Sequence, residues 1–127
     1  MKTKEIELCG KKVTLGYCYA TEIAYKTLAD EDIIDFRREL AEKVNGDVMP
    51  DVRRCIYLIL SAMQSYYEMT GAEPPIKDRD LMYKATPEDI GLGIGTVLGL
   101  QEEFYHISKS EAEKEQAEEK ESNPKND

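Results

Sequence analysis

Few side chains in this sequence have chemistry to offer. His106 is the only histidine. A lone imidazole without clustered Cys or acidic ligands does not make a metal site, and its place near the end of a helix suits a cation at the negative end of the dipole. Cys9, Cys18 and Cys55 are odd in number and widely spaced. They form no Cys-x-x-Cys pair, so neither a disulfide framework nor a zinc site is expected. No Ser or Cys sits in a nucleophile motif such as Gly-x-Ser-x-Gly. The acidic runs Asp30-Glu31-Asp32 and Asp78-Arg79-Asp80 lack the spacing of a calcium loop and read as helix starts. Gly91-x-Gly93-x-Gly95 resembles a nucleotide-binding loop only in composition. Such a loop follows a strand and opens a helix, whereas here Thr86-Pro87 caps a helix before the glycines arrive. The expectation is a protein with no catalytic residue, no cofactor and no metal.

The elements that position these residues are organised around Pro50–Met69. Val52, Cys55, Ile56, Ile59, Met63, Tyr66 and Tyr67 recur at the spacing of one helix face. Tyr57, Leu58, Leu60 and Ala62 fill much of the remaining circumference. A helix apolar nearly all round must be covered on several sides. Arg53, Arg54, Ser61, Gln64 and Ser65 interrupt it too often for a membrane span.

Upstream, Ile6 and Leu8 alternate with Glu5 and Glu7, and Val13, Leu15 and Tyr17 with Thr14 and Gly16, around a turn at Cys9-Gly10-Lys11-Lys12. This is a hairpin, which must lie on the helices or pair with another copy of itself. A helix over 18–29 is expected to bury Tyr19 or Ala20, Ile23, Ala24 and Leu28. The next, after Asp30-Glu31-Asp32, carries Ile33, Ile34, Phe36, Leu40, Ala41 and Val44 to a stop at Asn45-Gly46. Pro50 opens the central helix and Thr70-Gly71 ends it. After an extended Ala72–Pro75, residues 78–85 form a short helical piece with Leu81, Met82 and Tyr83 to bury. Thr86-Pro87-Glu88-Asp89 opens a last helix to about Ile107, with Ile90, Ile94, Val97, Leu98, Gln101, Phe104 and Tyr105 on one face. Gly91, Gly95 and Gly99 repeat every four residues beside it, a spacing that suggests close approach of a backbone or a ring.

The fold class is therefore mainly α: a small helical domain with a short N-terminal β-hairpin over 1–107, and a charged, disordered tail over 108–127. The length of 127 residues suits one such domain. With 26 acidic against 17 basic residues and a net charge of −9, the chain is a poor partner for phosphates or anionic lipids, so no nucleic acid and no membrane is expected. The first residues have no apolar signal segment, which points to the cytoplasm. Tyr is abundant, 8 residues beside two Phe and no Trp, and Tyr66-Tyr67 and Phe104-Tyr105 close two helices. Such pairs serve either core packing or a protein interface.

The order of features carries a resemblance. Gly10-Lys11-Lys12-Val13-Thr14-Leu15 leads into Tyr17-Cys18-Tyr19-Ala20-Thr21-Glu22-Ile23-Ala24-Tyr25. A helical middle follows, then Glu73-Pro74-Pro75-Ile76, Asp80-Leu81-Met82-Tyr83 and Thr86-Pro87-Glu88-Asp89. Over about residues 1–107 this plan resembles the small tail assembly chaperones of long-tailed bacteriophages and prophages. Many members carry Thr-Gly at the end of the first helix, where this chain has Leu28-Ala29-Asp30. The resemblance implies a non-enzymatic, self-associating protein in the bacterial host cytoplasm that binds and solubilises the helical tape measure protein. It also implies contact with the tail tube protein, often through a longer, frameshifted form. On that reading Tyr66, Tyr67, Met69, Gly91, Gly95, Gly99, Phe104 and Tyr105 are the candidate partner-binding residues, and replacing Phe104 and Tyr105 by Ser weakens association while leaving the fold. The competing class is a cytoplasmic adaptor or regulatory module that binds one folded protein.

Overall fold

The computed structural model describes residues 1–43 and 51–106. The tail over 108–127, Val44, the Asn45-Gly46 stop, Pro50 and Ile107 lie outside the described residues. Two strands, β1 (Lys2–Leu8) and β2 (Lys11–Tyr17), pair antiparallel from Lys2↔Tyr17 to Leu8↔Lys11. Cys9 (φ 52°) and Gly10 (φ 79°) make the connection. Both angles lie in the left-handed region that a two-residue hairpin turn requires to match strand twist. The alternation read from sequence holds: Ile6, Leu8, Val13, Leu15 and Tyr17 are buried on one face.

The hairpin lies on the helices α1 (Tyr19–Ala29), α2 (Ile33–Lys43), α3 (Val52–Thr70), α4 (Asp78–Tyr83) and α5 (Pro87–Phe104). Their ends follow from named groups. Asp32 directly precedes α2. The carboxylate of Asp51 accepts from Arg53 N at 2.8 Å to start α3, and Gly71 (φ 76°) ends it. Thr86 Oγ1 accepts from Asp89 N at 3.1 Å while Asp89 Oδ2 accepts from Thr86 N at 2.9 Å, the reciprocal box that starts α5. α1 stops at Asp30 (φ 56°), whose N–H donates to Lys26 O at 2.9 Å. Asp tolerates that left-handed position better than most residues.

α3 is the centre. Cys55, Ile56, Leu58, Ile59, Ala62 and Met63 are buried on it, with β2, α1, α5 and α4 packed round it. Of its expected face only Val52, in the first turn, stands out in solvent. α2 has a narrow apolar footing of Ile33 and Phe36, with Leu40 partly covered. Two arginines fasten it. Arg37 donates to Leu98 O and Gln101 Oε1 and pairs with Glu102 at 2.8 Å, all on α5. Arg54 of α3 reaches back to Glu31 at 2.8 Å and to Glu39.

α1 presents a different face from the expected one. Thr21 and Tyr25 are fully buried, while Tyr19 and Ile23 are 64% and 67% exposed. Burying a hydroxyl is tolerated when it is hydrogen-bonded, and Thr21 is. Its Oγ1 donates to Gly16 O at 3.0 Å and lies 2.7 Å from Ser65 Oγ, joining β2, α1 and α3. α4 departs likewise. Leu81 turns inward, but Met82 and Tyr83 are 56% and 82% exposed. A helix of six residues has only one narrow face to bury.

The glycines of α5 invert the expectation. Among the described residues, a Cβ on Gly91, Gly95 or Gly99 would meet no heavy atom within 4 Å beyond its own helix turn and chain neighbours. The close approach is at Gly93, where a Cβ would stand 2.5 Å from Ile59 Cδ1. Gly93 shares the inward face with Ile90, Ile94, Val97 and Leu100. Substituting Gly91, Gly95 or Gly99 by Ala should therefore stabilise the fold by about 0.5–1 kcal/mol each, since helical glycine carries only its entropic penalty there. Gly93→Ala should destabilise it, because overpacking costs about 1–3 kcal/mol against roughly 1 kcal/mol of helix propensity. Urea unfolding separates the two classes, and a Gly93→Ala protein as stabilised as the others would refute the close packing.

Candidate functional site: an apolar trough along the central helix

Because α3 is apolar nearly all round, each of its sides needs a cover, and one side is covered thinly. After Gly71 the chain returns along α3 as the extended Ala72–Pro75 and the short α4, pinned by Ile76 and Leu81, each about 2% exposed. The gap on the α5 side is a depression of about 580 Å³. Val52, Cys55, Ile56 and Tyr57 line it from α3, Leu81 and Met82 from α4, and Ala85, Pro87 and Ile90 from the start of α5. The gap on the other side is a depression of about 460 Å³, bounded by Leu28, Leu60, Met63, Pro74 and Ile76. The two share Ile56, Tyr57 and Met82. Together they line α3 from Val52 to Gln64, roughly 18 Å of helix at 1.5 Å per residue, as a trough in two parts that meet at these three side chains. Its walls are mostly apolar. The polar residues in the lining are Arg53, Thr86, Gln64, Lys77 and Asp78.

A second cleft of about 620 Å³, lined by Ile33 and Ile34 together with Glu22, Arg37, Gln101 and Tyr105, lies where α1, α2 and α5 meet. Glu22 Oε2 accepts from Tyr17 OH at 2.7 Å and from Tyr105 OH at 2.6 Å. Gln101 Nε2 donates to the Tyr17 oxygen at 3.3 Å, and Arg37 holds Gln101 in turn. Burial, then the bond to Glu22, raises the Tyr17 phenol well above its ordinary range. The Glu22 bond, then burial, pushes Tyr105 up to about 12. Both phenols therefore stay protonated donors at neutral pH and offer no basic oxygen. The cluster acts as a clamp that ties the end of α5 to α1 and β2.

The sequence-derived candidates fall into separate places. Tyr66 and Tyr67 meet edge to face at 4.9 Å, and the Tyr67 hydroxyl accepts from Thr14 N at 3.0 Å. Met69 is 62% exposed at the end of α3. Phe104 packs on Tyr17, Tyr19 and Tyr105 with ring centroids 5.1–5.6 Å apart. It is thus part of the intramolecular clamp, and a Ser at 104 would disturb the fold as well as any association. Gly91, Gly95 and Gly99 lie along the open side of α5. None of these residues lines the trough. His106 is exposed at φ 59°, and Cys9 and Cys18 are half-buried with Cys55 buried. Among the described residues no group of three or more His, Cys, Asp or Glu is placed to hold a metal ion, and no helix is long and apolar enough to cross a membrane.

The trough residues were present in the pattern but assigned to burial. Met82 was the available signal: in a helix as short as α4 it cannot share the inward face with Leu81. Compared with protein-family models, curated proteins and solved structures, the chain matches none significantly. The fold itself defines a class: a mainly α domain whose N-terminal hairpin and surrounding helices wrap one central helix.

Proposed function

We propose that this chain is a non-enzymatic tail assembly chaperone of a bacteriophage or prophage, acting in the host cytoplasm to bind and solubilise the helical tape measure protein. The trough along α3 carries the reading. Its exposed apolar side chains, Val52, Met82 and Leu28, with the partly covered Tyr57 and Leu60, offer a surface to the apolar face of an amphipathic helix. Met82, more than half exposed, supplies a side chain that repacks against varied partners. The net charge of −9 keeps a complex of two such surfaces dispersed. The partner's identity rests on the resemblance of the sequence plan to tail assembly chaperones. The trough also suits an adaptor that captures one helix of a folded protein, and the choice of partner separates the two.

The test is co-expression with the tape measure protein, comparing its soluble fraction with and without this chain. Solubilisation with co-elution is the expected result. A Val52→Asp/Met82→Asp protein should retain the fold, since both side chains are more than half exposed. It should bind at least about tenfold more weakly, because a carboxylate in a desolvated apolar contact costs well over 1.4 kcal/mol. Undiminished solubilisation by that variant would remove the trough from the binding face. No complex with a folded wild-type chain would favour the adaptor.

A further inference from the structure

The hairpin has two outer edges, and among the described residues only one of them has hydrogen-bond partners. In a two-residue hairpin the pair next to the turn is hydrogen-bonded, and such pairs alternate along the ladder. Leu8–Lys11, Ile6–Val13, Lys4–Leu15 and Lys2–Tyr17 are then the bonded pairs. The backbone groups of Lys12, Thr14 and Gly16 on β2, and of Thr3, Glu5 and Glu7 on β1, point outward. On β2 two of these groups are engaged. Thr14 N donates to Tyr67 OH, and Gly16 O accepts from Thr21 Oγ1 at 3.0 Å and Ser65 Oγ at 3.2 Å. On β1, among the described residues, the outward N–H and C=O groups of Thr3, Glu5 and Glu7 have no protein partner, and their side chains are exposed. Such a row is a template for another strand.

Charge decides what fits it. A second copy would meet β1 antiparallel about a two-fold axis, in one of three central registers. Centring on Glu5 sets Glu5 against its own copy. Centring on Lys4 sets Lys4 against its copy, and centring on Ile6 sets Glu5 against Glu7. Each register opposes like charges, which destabilises a cross-strand pair. A strand with cations opposite Glu5 and Glu7 gains instead. We propose that the outer edge of β1 is a strand-addition site for an extended, antiparallel segment of a partner protein, with Lys or Arg opposite Glu5 and Glu7. Running from the position opposite Leu8 to that opposite Lys4, such a segment reads apolar, basic, apolar, basic, acidic. This surface is separate from the trough: it takes a strand by its backbone, not a helix by its apolar face.

The test uses the whole chain and two capped heptapeptides, Val-Lys-Val-Lys-Glu-Thr-Glu and its charge-reversed counterpart Val-Glu-Val-Glu-Lys-Thr-Lys. Amide shifts and hydrogen exchange are followed by NMR. The first peptide should shift and protect the amides of Thr3, Glu5 and Glu7, binding roughly tenfold more tightly than the second. Glu5→Pro should abolish this while keeping the hairpin, because the lost N–H lies outside the ladder. Glu5→Lys/Glu7→Lys should reverse the peptide preference, which keeps the test decisive should the proline variant misfold. Equal binding of both peptides, no binding at millimolar concentration, or shifts confined to the α3 trough would overturn the proposal. So would β1 shifts that follow protein concentration alone, since the occupant would then be a second copy.

Discussion

Arg54→Met should destabilise the fold by about 2–4 kcal/mol, because it leaves two carboxylates without their common cation in a mostly desolvated site. Arg54 is about one-fifth exposed, and Glu31 and Glu39 about one-fifth and one-third. Its Nε donates to Glu31 at 2.8 Å, a second nitrogen pairs with Glu39, and the guanidinium lies 5.4 Å from the centre of the Phe36 ring. Tyr25 OH donates to the same Glu31 oxygen. Burial alone would lower the affinity of Arg54 for its proton, but its hydrogen bonds to Glu31, Glu39 and Tyr25 outweigh it and raise the pKa. The damage should be local first. α2 rests on Ile33 and Phe36, so without Arg54 its amides should exchange faster than those of α3 and α5. Arg54→Lys should recover less than half of the loss, since an ammonium cannot reproduce a planar fork shared by two carboxylates and stacked on a ring. A lysine variant as stable as the wild type in urea would show that charge alone is at work. A cycle with Glu31→Gln measures the coupling directly.

That arrangement also marks where sequence reading stopped. The hairpin, the caps at Thr86 and Gly71, and the central place of α3 are legible because each depends on residues within a few positions of one another, whereas the Asp51 cap of α3 is seen only in the structure. Arg53 and Arg54 entered the reading only as interruptions of an apolar helix. The partners of Arg54 lie at Glu31 and Glu39, on segments whose approach to α3 is a tertiary fact. The misjudged face of α1 has a similar origin. Ranking by hydrophobicity favours Ile23 over Thr21, yet Thr21 is buried because Gly16 O and Ser65 Oγ are there to receive it. For the glycines the deciding signal was phase. Gly93 stands in step with Ile90 and Val97, while the eye-catching series Gly91, Gly95 and Gly99 stands off that face. The trough was the least legible feature. It exists because α4 is too short to cover α3, a matter of how far a connection reaches.

Raising the pH above 10 should unfold this protein more steeply than its charge balance suggests. Tyr17 and Tyr25 are fully buried. Burial first, and then the hydrogen bonds to Glu22 and Glu31, raise both phenols well above the ordinary phenol value near 10. For an acid whose folded pKa is raised, the neutral form is the one the fold prefers. Its contribution is fully present below the unfolded value and is lost as pH climbs from there toward the folded one. Above pH 10 the unfolded chain binds fewer protons than the folded chain, so stability falls with pH. Between pH 10 and 11 each phenol should cost about 1 kcal/mol, or roughly 2 kcal/mol for the pair. Cys55, raised by burial, adds a loss that begins at lower pH. Lysine deprotonation in the same range changes surface charge as well, so the pair must be isolated. Tyr17→Phe/Tyr25→Phe does so. At pH 8 it should lose about 1–3 kcal/mol from the broken hydrogen bonds, leaving Glu22 with Tyr105 and Glu31 with Arg54. Between pH 10 and 11 its stability should then fall about 2 kcal/mol less than that of the wild type. Parallel pH profiles for the two proteins in urea titrations would show that neither phenol is held protonated by the fold. The interlock of Tyr17 with Glu22 and of Tyr25 with Glu31 would then be decoration on a core held by its apolar contacts alone.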